Sequence, residues 1–329
     1  MTTKLFITRS IGQEAIKKLK KQKGLKVEVY KEAKKIPRQL LLKKVKGVDI
    51  IVSLLTERID KQVFQAAGDQ LKLIANYAVG FNNIDLDEAK KRSILVTNTP
   101  CSEVSESVAE HAIALMFSLC HRLVEADQFT RKGKYAGWDP DLFLGTDIMG
   151  KTIGIIGAGR IGTNVIRRLY DGFGVKIIYH NQTRVPELEK TYKALYRSKE
   201  QLLKESDIIS LHVPLLPSTF HLISKKEFKL MKKTAFLINT ARGPIIDEKA
   251  LLQALAKKQI AGAGLDVYEC EPLIDCDPND HLELRQFPNV ILTPHTASAT
   301  IEARTAMAKT VVQNILAFLQ GKIPPNLVQ

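Results

Sequence analysis

Short runs of adjacent apolar residues recur along the chain, separated by segments whose apolar positions fall three or four apart. In the first hundred residues the runs are KLFITRS, LKVEVYK, VDIIVSLL, LKLIANYA and ILVTN, with segments such as QEAIKKLKKQ and DKQVFQAAG between them. Continuous apolar runs suit strands buried on both faces, and the helical spacing between them supplies the covering layers. A parallel sheet is therefore predicted. A second series opens at KTIGIIGAGRIG and continues through VKIIYHN, SDIISLHVP, TAFLINTAR, AGAGLDVY and NVILTPH. The reading is an α/β chain with two doubly wound parallel-sheet domains.

Between the two series, after Asn98 to Pro100, Val108, Ala112, Leu115, Met116, Leu119 and Leu123 form one apolar stripe of a long helix. Ser107 and Glu110 have the spacing of a capping box, and Ser102 offers a start one turn earlier. The glycine- and aspartate-rich stretch GKYAGWDPDLFLGTDIMG that follows reads as a loop and holds the single tryptophan, Trp138. A last helix is predicted from about Ile301 to Gln320. With 329 residues the chain exceeds what one core usually serves. Domain crossings are placed near Pro100 and Ala297, so residues 1–100, completed by 297–329, form one domain around a second at 101–296.

Composition changes this picture little. The 45% apolar and 26% charged fractions are those of an ordinary globular chain, and no stretch of about 18 apolar residues is present to span a bilayer. MTTKLFITRS runs straight into a strand pattern without the long apolar core of a secretory signal, so an unexported, cytoplasmic protein is expected. Cys101, Cys120, Cys270 and Cys276 show neither CxxC nor metal spacing with histidine and read as reduced, space-filling thiols; no metal site is predicted. The net charge of +14 raises nucleic-acid binding. The lysines nevertheless lie on helical segments with apolar residues beneath them, and no aromatic-basic or helix-turn-helix pattern accompanies them, so solvated helix faces account for most of the charge.

Gly157, Gly159 and Gly162 form GxGxxG between an apolar strand and a helix, the setting a dinucleotide fingerprint requires. One glycine serves the tight turn, one the close approach of a pyrophosphate, and one the packing of helix on strand, while the helix N-terminus offers N–H groups to the anion. The next strand ends in His180, Asn181, Gln182, Thr183 and Arg184, with no acid to claim the ribose 2′-OH. Thr183 and Arg184 suit a 2′-phosphate, so NADP is expected to be preferred and NAD to be possible. The alternative is that Asn181 binds an NAD ribose and Arg184 is a surface residue.

Three further segments carry chemistry: INTARGPIIDEKAL around Arg242, GLDVYECEP ending beyond Glu271, and ILTPHTASAT containing His295. With the glycine motif they match, in order and spacing, the signatures of the D-isomer-specific 2-hydroxyacid dehydrogenases, which the chain resembles over nearly its whole length. That resemblance implies a flavodoxin-like substrate domain and a Rossmann cofactor domain with the active site in the cleft between them. It implies reduction of a small 2-keto acid, whose carboxylate and carbonyl need an anion clamp and a proton donor. Arg242 supplies a permanently charged fork, and His295 a proton donor near neutral pH. Glu271, by the family pattern, bonds the far ring nitrogen of His295. The resemblance further assigns Asp266 to the nicotinamide carboxamide, and it places Arg160, Ile161, Val213, Pro214, Thr219, Thr240 and Ala241 around the cofactor. His212 reads as structural.

The loop NYAVGFNNID looks like the family's substrate loop, with Ala78, Val79 and Gly80 aiming N–H groups at the substrate carboxylate. Its wording is most similar to glyoxylate and hydroxypyruvate reductases, and no basic side chain lies within it to hold a substrate phosphate. GWDPDLFLG resembles a loop that crosses between subunits, making Trp138 either a part of the partner's pocket in a homodimer or a residue packed in its own interface. Two other readings stand beside this one. The first is a D-2-hydroxyacid dehydrogenase with another substrate, of 2-ketogluconate, D-lactate or phosphoglycerate type. The second is an NAD(P)-sensing corepressor without turnover.

Overall fold

A computed structural model describes residues 2–271 and 282–328, and divides the chain into two units, Met1–Val104 with Ala299–Gln329, and Ser105–Ser298. The first unit holds strands β1 (Thr3–Ile7), β2 (Leu25–Val29), β3 (Ile50–Ser53), β4 (Leu73–Asn76) and β5 (Leu95–Thr97) in the parallel order β2-β1-β3-β4-β5. The second holds β6 (Thr152–Ile156), β7 (Lys176–His180), β8 (Leu195–Tyr196), β9 (Ile208–Leu211), β10 (Phe236–Asn239), β11 (Gly262–Leu265) and β12 (Val290–Leu292). These are also parallel, in the order β12-β11-β10-β9-β6-β7-β8. Both are doubly wound sheets whose order reverses beside the first strand, β1 in one and β6 in the other, and ligands bind outside the carboxyl ends of strands at such switch points.

Alternation along the strands divides the second unit's core. Ile153 and Ile155 pack with Met116, Val165, Ile166 and Leu169, whereas Ile156, Ile209 and Leu211 pack with Leu202, Leu251 and Leu255 on the opposite face. Each such side chain, fully buried, stabilises by about 1.5–3 kcal/mol. In the first unit, Phe6, Ile51, Ile74 and Val96 pack with Val63, Phe64 and Ala89. The helix Ile301–Leu319 returns to this unit, capped by Thr300 Oγ1 accepting from Ala303 N at 3.2 Å. Buried Asn314 donates to Asn98 O at 3.2 Å and accepts from Asn326, so one side chain ties the C-terminal segment to the end of β5.

The long helix runs Ser102–Cys120, beginning at the earlier of the two predicted starts. A further helix at Leu123–Arg131 follows Arg122 in the left-handed region, φ 52°. It was not expected from the pattern, because Arg122 interrupts the stripe without a glycine or proline to mark the break. Two-residue β8 was likewise invisible as a run. Lys17, Lys18, Lys20 and Lys21 are exposed above buried Ile16 and Leu19, the arrangement expected of a solvated helix face. The positive charge is uneven: residues 1–46 carry fifteen Lys or Arg against three Asp or Glu. No helix of the described residues is long and apolar enough to cross a membrane. One expectation is corrected: Cys270 is disulfide-bonded, whereas Cys101 and Cys120 are free thiols; Cys276 lies outside the described residues.

Candidate active site

His295 follows β12 with φ 54°, an uncommon conformation for a non-glycine residue. Its N–H donates to Asp266 O at 2.9 Å and Thr293 O at 3.0 Å, which holds the ring where the strand ends. Nδ1 of His295 lies 2.5 Å from Oε1 of Glu271, so the contact expected from the family pattern is formed within this unit. Nε2 has no protein partner among the described residues and is the nitrogen left to exchange a proton. Glu271 is held in turn by Tyr268 N, at 3.4 Å from Oε2.

Arg242 stands just beyond β10 in extended backbone, φ −145° and ψ 140°. Asn239 shapes that turn by donating to Arg242 O at 2.9 Å and accepting from Ala241 N at 3.0 Å. One donor, Nη1, bonds Ala241 O at 2.6 Å; Nε and Nη2 find no protein acceptor among the described residues. Desolvation by burial pushes the guanidinium down from its ordinary value, and the charge of Glu271 pushes back. An arginine remains charged regardless, so two donors of a planar fork are left for an anion. Gly243, next in the chain, packs backbone against backbone on Tyr268 and Glu269, where a Cβ would overlap the Tyr268 carbonyl.

The cofactor motif fits its proposed ligand by three observations. Gly157 has φ 97° and sits against His212, Gly162 packs against the Gly157 carbonyl, and Gly159 alone has open space where a Cβ would be. The helix Arg160–Phe173 starts at Gly159 with no side-chain cap, leaving its first N–H groups available near Arg160 and Ile161. Buried Thr240 Oγ1, at the end of β10, has no hydrogen-bond partner. A diphosphate and a nicotinamide ribose are groups of the right chemistry for these donors. Val213 is part-buried beside Gly157, and Pro214 is exposed. Thr219 is turned inward: its hydroxyl donates to Pro214 O at 2.6 Å and accepts from Leu216 N at 2.8 Å, closing the turn. His212, bonded to Ser210 Oγ at 2.9 Å, is lowered to about 4 by desolvation and stays neutral.

Comparison with known proteins identifies the family. Residues 113–297 match the model of the D-isomer specific 2-hydroxyacid dehydrogenase NAD binding domain. A glyoxylate reductase of Thermococcus litoralis is 49% identical, covering 100% of this chain and 97% of its own. The chain belongs to the D-isomer specific 2-hydroxyacid dehydrogenase family. Among solved structures, a glyoxylate reductase from Paecilomyes thermophila superposes with TM-score 0.83 at 32% identity, covering 99% of this chain and 98% of the other. An NADPH-dependent glyoxylate/hydroxypyruvate reductase from Sinorhizobium meliloti, crystallised with citrate, does so with TM-score 0.83 at 30% identity, covering 99% and 97%.

Other family positions are placed as follows. Asp266 is fully buried; Oδ1 accepts from Thr293 Oγ1 at 2.6 Å and Thr296 N at 2.8 Å, and Oδ2 from Ala297 N at 2.8 Å. Its carboxylate thus braces the segment carrying His295. His111, which the sequence did not single out, lies 3.0 Å from Thr293 Oγ1 and 3.5 Å from Asp266 Oδ1. A second pair was also missed: His221 Nε2 lies 2.7 Å from Glu269 Oε1, and Glu269 and Glu248 exchange backbone-to-carboxylate bonds of 3.0 and 3.1 Å. This latch fastens the stretch before Glu271 to the helix Glu248–Ala256. Only the alternation of Glu269 with Glu271 hinted at it.

At the end of β7, His180 Nδ1 contacts Arg197 O at 3.0 Å and Asn181 Nδ2 donates to Thr183 O at 3.1 Å, with Thr183 exposed. Arg184 is 64% exposed but engaged with Glu189, an acid on the helix Pro186–Tyr192. In the first unit, Asn76 Nδ2 donates to Gly80 O at 2.9 Å, Asn98 Nδ2 to Val79 O at 2.7 Å, and Thr99 N to Ala78 O at 2.8 Å. The loop's carbonyls are drawn inward, and the N–H groups of Val79 and Gly80 have no acceptor among the described residues. Trp138 is 85% exposed in a loop that also exposes Tyr135, Leu144 and Met149.

Proposed function

We propose that the chain reduces glyoxylate and hydroxypyruvate to the corresponding 2-hydroxy acids, of D configuration where C2 is chiral, with NADPH preferred over NADH. The observation that carries the reading is the His295–Glu271 pair beside Arg242. A proton donor with one nitrogen free and a cation with two unused donors are the two functions that reduction of a 2-keto acid demands. A nicotinamide cofactor held at the Gly157–Gly162 motif would supply the hydride for C2. Arg242 binds the carboxylate and carbonyl oxygens through Nε and Nη2 and stabilises the negative charge that develops there. His295 gives its Nε2 proton to the carbonyl oxygen as the alkoxide forms, so hydride and proton together convert C=O to CH–OH. Glu271 stabilises the imidazolium before transfer and holds the ring's orientation. In the first unit, the N–H groups of Val79 and Gly80 suit a carboxylate oxygen, and the short loop favours a small substrate without a phosphate.

NADPH preference is supported by the absence of an acid at the end of β7 itself and by exposed Arg184. The relative from Sinorhizobium meliloti is NADPH-dependent by name. The apolar side chains exposed around Trp138 support a homodimer buried through that loop. A cytoplasmic setting agrees with the free thiols Cys101 and Cys120 and is opposed by the disulfide at Cys270.

A panel of 2-keto acids assayed with NADPH and with NADH, by loss of reduced-nicotinamide absorbance, tests the reading. Glyoxylate and hydroxypyruvate are expected to give the highest kcat/KM. In His295→Ala, kcat should fall by orders of magnitude while NADPH still binds. Turnover near the parent value in that variant refutes the proton-donor role, and a clear NADH preference refutes the cofactor assignment.

A further inference from the structure

The case for NADPH rests on what β7 lacks at its end, yet the helix that follows returns a carboxylate to the same place. Glu189 grips Arg184 along one edge of the guanidinium, with Nε 3.0 Å from Oε1 and Nη2 2.6 Å from Oε2. The grip is built from beneath. Tyr179 Oη donates to Glu189 Oε1 at 2.7 Å and accepts from Val185 N at 2.8 Å, so the loop and the acid share one buried phenol. Tyr196 donates to Asn181 O at 3.2 Å, and its ring centroid lies 5.7 Å from Arg184 Cζ. Residues 181–185 are therefore wired to two tyrosines and one acid.

We propose that Glu189 is a specificity-determining residue that restrains the preference for NADPH by tying up Arg184, and so keeps NADH usable. This deepens the cofactor reading above and rests on it. A guanidinium has two edges able to make paired hydrogen bonds. Here the Nε–Nη2 edge is taken, and a 2′-phosphate is left with the Nη1 side of a cation whose charge is already balanced. The same carboxylate stands near any dianion that Arg184 would receive, and like charges at that range oppose binding. NAD carries no 2′-phosphate and is indifferent to both effects. The arginine and the acid act in opposite senses on one group, which separates this device from a β-strand acid that binds the ribose itself.

Dissociation constants for NADP+ and NAD+, measured by isothermal titration calorimetry, test it in the parent protein, Glu189→Gln, Arg184→Ala and the double variant. Gln retains an oxygen for Tyr179 and removes the charge, so the fold should persist, with an unfolding midpoint near the parent's. NADP+ should bind roughly three- to tenfold tighter to Glu189→Gln, less so at high salt, with NAD+ unchanged. The gain should shrink in the Arg184→Ala background, because the cycle removes the group through which Glu189 acts. If Arg184→Ala weakens NADP+ but Glu189→Gln leaves it unchanged or weaker, or if the gain survives undiminished without Arg184, the role of Glu189 is overturned and the cofactor reading stands. If Arg184→Ala leaves NADP+ affinity intact, both fall together.

Discussion

Gly243→Ala adds one methyl group at the point where two functional segments touch. The Cβ would fall on the carbonyl oxygen of Tyr268 and against the backbone of Glu269, with no side chain able to swing aside. The strands' register fixes both segments from behind, since Asn239 pairs with Leu265 across β10 and β11. Relief therefore requires the turn carrying Arg242 to separate from the stretch leading to Glu271. Restoring ordinary contact takes a displacement of roughly 2 Å, because packed backbone does not compress. Overpacking of this kind costs about 1–3 kcal/mol, which lowers the unfolding midpoint by roughly 2–4 °C for each kcal/mol in a domain of this size. The larger effect should be on turnover. A misplacement of about 1 Å at a reacting centre costs on the order of a hundredfold. NADPH should still bind through Gly157, Gly159 and Gly162, which follow β6 rather than β10, with some weakening from Thr240 and Ala241 on the displaced turn. The assay is kcat and KM with glyoxylate, alongside calorimetric binding of NADPH and a thermal melt. A folded Gly243→Ala protein with parental kcat would show that the approach of the two segments is not what aligns Arg242 with Glu271.

Two further outcomes follow from the site. Desolvation lowers His212 to about 4, against about 6.5 for an unfolded histidine, so between those values the unfolded chain binds more protons. Stability is full above about pH 6.5 and declines toward pH 4 by about 3 kcal/mol at most, and His212→Gln should flatten that slope in denaturant titrations at pH 4.5 and 7; an unchanged slope would mean that His212 is not the group responsible. Trp138→Ala should raise KM for the keto acid while sedimentation still shows a dimer, whereas a normal KM with weakened association would place the side chain in the interface alone.

What could be read without coordinates was whatever a single element declares. Apolar runs marked eleven of the twelve strands among the described residues, because parallel strands covered on both faces need unbroken apolar stretches, and only Leu195–Tyr196 was too short to register. The glycine motif was readable because each glycine answers a local demand, and the structure divides those demands among turn, open approach and packing as the spacing implied. Arg242, Glu271 and His295 were named from short segments that resemble a family, and the Glu271–His295 contact is present.

The residues that escaped notice act across elements. Glu189 comes to Arg184 from the next helix, His221 meets Glu269 across 48 positions, and Gly243 matters because of a neighbour 25 residues on. No periodicity encodes such meetings; they are settled when elements pack. The consequence is sharpest at the cofactor end. β7 ends without an acid after Tyr179 and His180, yet Glu189, five residues beyond Arg184, brings a carboxylate from the next helix. Selectivity there is set by the sum of charges within a few ångströms of the 2′ position, whichever element supplies them. An arginine counts toward it only to the extent that its neighbours leave it free.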